Sequence, residues 1–180
     1  LVSAGTGSET SRKRRTSEAM TGYELSAVEE TDIGTMARIH ALSFDDAWTG
    51  AMIRRILVMP GAFGIVARRS RLWSVAGFAL LRQAADECEL LSLAVSPELR
   101  GDGVGGFLFD GAMEQAAIAG AEKLFLEVAE DNDVARHLYS SRGLIPVGRR
   151  PDYYTHKDGT KTAAVTMSCR LEAQAVRTPA

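Results

Sequence analysis

The chain reads as a mixed α/β (α+β) domain in which about four helices flank a central sheet of about seven strands. Three observations carry this reading. Helical and strand-like periodicities alternate along most of the chain. The strand-like runs are joined by short polar turns, which favours antiparallel neighbours. One longer connection, rich in glycine, separates a strand from an amphipathic helix. With 180 residues, 46% of them hydrophobic, there is apolar material for a core and no case for a disordered chain. No run approaches the roughly 20 apolar residues needed to cross a bilayer. A net charge of −2 gives no reason to expect nucleic acid. Cys88 and Cys169 are too few for a metal cluster or a disulfide framework, and they read as free thiols of a cytoplasmic protein.

The first nineteen residues differ from the rest. They are rich in Ser, Thr and Gly and carry the basic run from Arg12 to Arg15, without the apolar stretch that a signal peptide requires. Residues 1–19 and 174–180 are expected to be disordered tails around a domain of residues 20–173, with Met20 as the natural start. Without its first nineteen residues the chain has 17 basic and 21 acidic side chains, a net charge of −4.

The elements follow in order. Residues 23–29 alternate as a strand. Thr31 is placed to cap a helix carrying Ile33, Met36, Ile39 and Leu42 at helical spacing. Thr49 caps a second helix over 49–58, stopped by Met59, Pro60 and Gly61. Extended runs follow over 62–67, 72–81 and 87–95, joined by polar turns at 68–71 and 83–86. A turn over 96–106 leads into a helix reaching about residue 119, stopped by Gly120. Then come a strand over 124–128, a helix over 132–141 ended by Gly143, and strands over 144–154 and 162–171. Asp158 and Gly159 make the last turn.

The connection Arg100, Gly101, Asp102, Gly103, Val104, Gly105, Gly106 lies between a strand and a helix. Glycines let backbone approach a ligand closely, and a helix N-terminus offers unpaired N–H groups with partial positive charge. Together they suit a phosphate or pyrophosphate. A Walker loop would end in Gly-Lys-Ser/Thr, and here Gly105 and Gly106 precede Phe107. A dinucleotide fingerprint would follow the first strand and have an acidic ribose reader about 20 residues on, which is missing.

Leu93, Ala94, Val95, Ser96 and Pro97, then Arg100-x-x-Gly103-x-Gly105, resemble motif A of the GNAT acetyltransferase superfamily. The similarity extends through 124–128, Asn132, Tyr139, Gly143, Arg149, Arg150, Tyr153 and Tyr154, and there resembles the RimI branch. That branch acetylates the N-terminal alanine of a small-subunit ribosomal protein. The resemblance covers about residues 23–171. It implies acetyl-CoA as cosubstrate, with its pyrophosphate on the Arg100–Gly105 loop, its acetyl and pantetheine groups beside Leu93, Ala94 and Val95, and Asn132 touching the coenzyme. A protein or peptide N-terminus is the implied partner. Two departures stand out: RimI-like loops often carry basic residues where Gly101 and Gly106 stand, and acidic residues are common where Lys161 and Thr162 stand.

Acetyl transfer to an amine needs a proton acceptor and a proton donor for the leaving thiolate. Glu127 interrupts an apolar strand, so it either faces a cleft or lies at a solvent-exposed strand end; the resemblance makes it the proton acceptor. Tyr139 is a packing aromatic or, by the same resemblance, the acid. Glu89 is the alternative base. Tyr153 and Tyr154 wall the peptide entrance or pack the last hairpin. His40, His137 and His156 lack ligand spacing and read as surface or capping residues, so no metal is expected. The alternative activities are a GNAT enzyme acting on a small amine or on lysine, and a non-catalytic acetyl-CoA-binding module.

Overall fold

Alternating strands and helices assemble into one seven-stranded sheet in the computed structural model, which describes residues 22–155 and 158–172. The expected tails, and His156, lie outside these residues. In chain order the elements are β1 (Tyr23–Ala27), α1 (Ile33–Ala41), α2 (Gly50–Leu57), β2 (Ala62–Arg69), β3 (Val75–Ala84) and β4 (Glu87–Val95). They continue with α3 (Val104–Ile118), β5 (Lys123–Ala129), α4 (Asp133–Ser140), β6 (Ile145–Thr155) and β7 (Lys161–Arg170). The strand order is β1-β2-β3-β4-β5-β7-β6, antiparallel except for the parallel β4–β5 pair. That parallel pair needs a crossover, and α3 supplies it.

Two apolar clusters lie on opposite faces of the sheet. Side chains alternate along each strand, so Cys88, Leu90, Leu124, Leu126 and Val128 point to one face and pack with Leu108, Phe109 and Tyr139 of α3 and α4. The other face carries Val66, Phe78, Leu80 and Ala94 against Ile33, Met36 and Ile39 of α1 and Ile53 of α2. On this second face α1 and α2 pack over β2, β3 and β4.

β4 is the strand that shapes the molecule. Leu80 pairs with Ser92 and Leu81 with Leu90, so Leu91 is an extra residue. Such a bulge bends its strand and sharpens its twist. Pairing with β5 runs only from Glu87–Lys123 to Leu90–Leu126. Beyond the bulge β4 continues along β3, β5 continues along β7, and the two strands part.

Several expectations change in the structure. Thr31 does not cap α1; it lies within a 3-10 turn, Glu30–Asp32, where the Glu29 N–H donates to Asp32 Oδ2 at 2.8 Å. Arg68 is not in a polar turn but buried in β2, and its guanidinium grips Asp32 through two bonds of 2.9 and 2.7 Å. Its Nε donates to Ser26 Oγ at 2.9 Å. β3 starts at Val75, because Trp73 turns the chain with φ 52°. His40 is neither a surface nor a capping residue: it is buried, stacked on Trp48 at 4.8 Å, and its Nδ1 accepts from the Trp48 N–H at 3.1 Å. Burial pushes its pKa down against a smaller opposing pull from Asp46. Thr49 caps α2 as expected, accepting from the Met52 N–H.

Candidate active site

The glycine-rich connection ends sooner than expected, because α3 begins at Val104 and takes Gly105 and Gly106 into its first turn. Gly101 and Gly103 have φ of 88° and 86°, a conformation costly for any residue with a Cβ. Gly103 is the N-cap and gives α3 no side-chain cap, so the first N–H groups of the helix stay free for an anion. A Cβ on Gly105 would meet only Val95 and Leu138 side chains at ordinary contact distance, while one on Gly106 would run into Arg142. Gly106 therefore serves packing: Arg142 is held there by Asp110 at 2.6 Å. The Arg100 guanidinium bends back, donating to Val95 O at 3.2 Å and Ser43 Oγ at 2.8 Å.

Beside this loop the edge of β4 is open. The Ser96 N–H donates to Ala76 O on the β3 side. Strand alternation then turns the N–H groups of Ala94 and Ser96 towards β3 and those of Leu93 and Val95 towards the gap left by β5. Leu93 and Val95 thus present backbone to the gap, whereas Ala94 packs its side chain under α1. Asn132 caps α4, its side chain accepting from the Ala135 N–H at 3.1 Å.

Where α1 and α2 leave their own face of the sheet uncovered, beyond β2, β3 and the end of β4, it carries charge. Glu127 is the first residue of β5 beyond the last β4–β5 pair, so it stands where the strands part. Its side chain is 22% exposed, and Oε1 lies 3.2 Å from Arg150 Nη1. Glu89 shares this face and stands opposite Arg82. Burial raises the Glu89 pKa, the negative charge of Glu127 adds to the rise, and Arg82 and Arg150 oppose it. Ser92, one residue past the bulge, has a buried hydroxyl without a hydrogen-bond partner among the described residues.

Tyr139, from α4, lies in the apolar cluster on the other face of the sheet. It is buried, its ring 5.0 Å from that of Phe109, and burial together with nearby Tyr154 pushes its pKa up to about 12. Tyr154 is itself pushed up, by burial first and then by Glu127. Glu127 thus acts on Tyr154, and Tyr154 on Tyr139, through charge. Tyr153 and Tyr154 meet edge-on at 5.0 Å.

Both thiols behave as small apolar groups: Cys88 is pushed up to about 11 by burial, and Cys169 is also raised by burial. Among the described residues no group of three or more His, Cys, Asp or Glu is placed to hold a metal ion. None of the described helices is long and apolar enough to cross a membrane.

Residues 34–144 match the model of the acetyltransferase (GNAT) family. The chain belongs to that family. The GNAT fold and an acetyltransferase activity follow, and the family uses acetyl-CoA as its cosubstrate. A Bacillus subtilis (strain 168) protein assigned as a ribosomal protein bS18-alanine N-acetyltransferase is 33% identical over 125 residues, 69% of this chain and 82% of that protein. The ribosomal protein bS18-alanine N-acetyltransferase of Haemophilus influenzae is 36% identical over 97 residues, 54% of this chain and 66% of that enzyme. The crystal structure of the ribosomal-protein-S18-alanine N-acetyltransferase from Escherichia coli superposes with a TM-score of 0.77 at 23% identity, over 87% of this chain and 99% of that one, and so bears on the fold.

The structure adds Arg82, and Arg150 as a partner of Glu127, to this GNAT site. Arg82 sat unremarked at the end of an apolar run, and only the β3–β4 register sets it against Glu89.

Proposed function

We propose that the chain transfers the acetyl group of acetyl-CoA to a protein N-terminal α-amine, and specifically to the N-terminal alanine of a ribosomal protein, by direct attack of the amine on the thioester. The observation that carries this reading is the placement of Glu127 at the point where β4 and β5 part, with Glu89 beside it on the open face. The names of the curated relatives supply the acceptor class. A ribosomal acceptor implies a cytoplasmic enzyme.

The free N–H groups at the start of α3 suit the pyrophosphate, and the gap-facing backbone of Leu93 and Val95 suits the pantetheine and the carbonyl oxygen. Asn132 orients the start of α4 beside them. In this reading the Arg100 side chain braces the loop, and the backbone does the binding. An α-amine of pKa ~7.7–8.0 is neutral in roughly one molecule in ten at pH 7, against fewer than about one in a thousand for lysine, so an α-amine asks little of its base. The new C–N bond forms as the C–S bond breaks, and Glu127 takes the amine proton. Tyr139 faces the leaving sulfur. At about 12 it keeps its proton through the neutral range. Full transfer to a thiolate of conjugate pKa ~8.5 is uphill by about 5 kcal/mol, so Tyr139 acts first as a hydrogen-bond donor.

The test is thiol release from acetyl-CoA by the full chain with two peptides. One has a free N-terminal alanine, and the other has a blocked N-terminus and a single lysine. Release with the first alone is the expected result. Release with the second alone moves the target to lysine, and silence with both moves it to small amines or to a binding role.

A further inference from the structure

The open face of the sheet assembles four charges from four strands: Arg82 on β3, Glu89 on β4, Glu127 on β5 and Arg150 on β6. Two carboxylates stand inside and two guanidiniums outside. Arg150 and Glu127 meet across β7 as an ion pair. The nearest approach is Nη1 to Oε1 at 3.2 Å. Arg150 is 62% exposed, yet it is held from a second side as well, its guanidinium carbon 5.4 Å over the Tyr153 ring. A cation held over a ring and against a carboxylate restricts the directions in which that carboxylate can turn.

We propose that Arg150 is a positioning residue for proton transfer: held over the Tyr153 ring, it turns the Glu127 carboxylate towards the gap where the acceptor amine must enter. The proposal rests on the reading of Glu127 as the proton acceptor. Glu89 faces Glu127 from β4, Arg150 and Tyr154 from β6, the uncharged Thr166 from β7, and Arg82 stands one strand further away. Glu89 senses the same field, since Arg150 and Arg82 both oppose its rise. Without Arg150, Glu89 would have only Arg82 to offset the charge of Glu127, and would hold its proton to higher pH. An exposed ion pair without this role would alter stability slightly and leave proton uptake alone.

The experiment compares wild type, Arg150→Gln and Arg150→Lys as full chains labelled with glutamate bearing ¹³C at Cδ. Carboxyl titrations are recorded beside pH profiles of kcat/KM with the alanine-terminated peptide. In Arg150→Gln the Glu89 titration should move to higher pH, because Arg150 opposes its rise, and kcat/KM should fall about tenfold as the Glu127 carboxylate loses its orientation. Arg150→Lys should retain most of the wild-type profile. An unmoved Glu89 titration in Arg150→Gln overturns the proposal, as does an unchanged kcat/KM. If wild type fails to acetylate the peptide, the N-terminal reading falls, while the carboxyl titrations still decide the role of Arg150.

Discussion

Two carboxylate–guanidinium pairs, Asp32 with Arg68 and Glu127 with Arg150, differ in every respect that separates scaffold from site. The first is 4% and 5% exposed and bidentate, with a further bond from Arg68 to Ser26 and another from the Glu29 backbone to Asp32. Both carboxylate oxygens and all three guanidinium nitrogens are engaged. The second is 22% and 62% exposed, with its nearest atoms 3.2 Å apart. Charged pairs that are sealed and saturated hold elements together, here the entry of α1 to β2. Exposed pairs beside an open strand edge are free to trade partners with a substrate.

Breaking the sealed pair should have the largest effect. Arg68→Met leaves Asp32 buried and uncompensated, and should destabilise the fold by about 3–5 kcal/mol. Urea unfolding should show this as a lower midpoint, with the turnover of the remaining folded protein close to wild type. A midpoint near the wild-type value would erase the distinction between the two pairs.

The open pair should respond the other way round. Glu127→Gln is expected to lower kcat about 10²- to 10³-fold while leaving acetyl-CoA affinity, measured by calorimetry, nearly unchanged. Tyr139→Phe should cost about tenfold or more, also in kcat, and full activity in both variants would remove the assigned roles. A smaller test lies beneath α1. His40 is held neutral by burial, so an unfolded chain takes up its proton below about pH 6.5 while the folded chain still excludes it. The unfolded state then binds more protons, and stability should decline as the pH falls below 6.5. His40→Gln should flatten that part of the urea-midpoint curve.

Much of the fold was legible because its signals are local. Gly103 at positive φ, the Thr49 cap and the Asp158–Gly159 turn each act within a few residues. The bounds of β4 could be read from its own composition. Arg68 and His40 were misplaced because their partners lie 36 and 8 residues away, and neither a charged residue beside a turn nor a histidine in a helix announces that it will be buried. Thr31 was a sound cap by residue type, but Glu29 and Asp32 formed the turn first.

The sequence by itself determined the alternation of elements, the glycines of the connection before α3 and the residues from which a site can be built. Short-range sterics and periodic burial specify these, and both act along the chain. Only the tertiary structure decided which of those residues meet. The bulge at Leu91 ends the β4–β5 pairing and opens the gap. The insertion of β7 between β5 and β6 sets Arg150 two strands from Glu127. Register and strand order bring together charges that lie far apart in sequence, and the burial that shifts Glu89 and Tyr139 exists only once the sheet and its helices have closed around them.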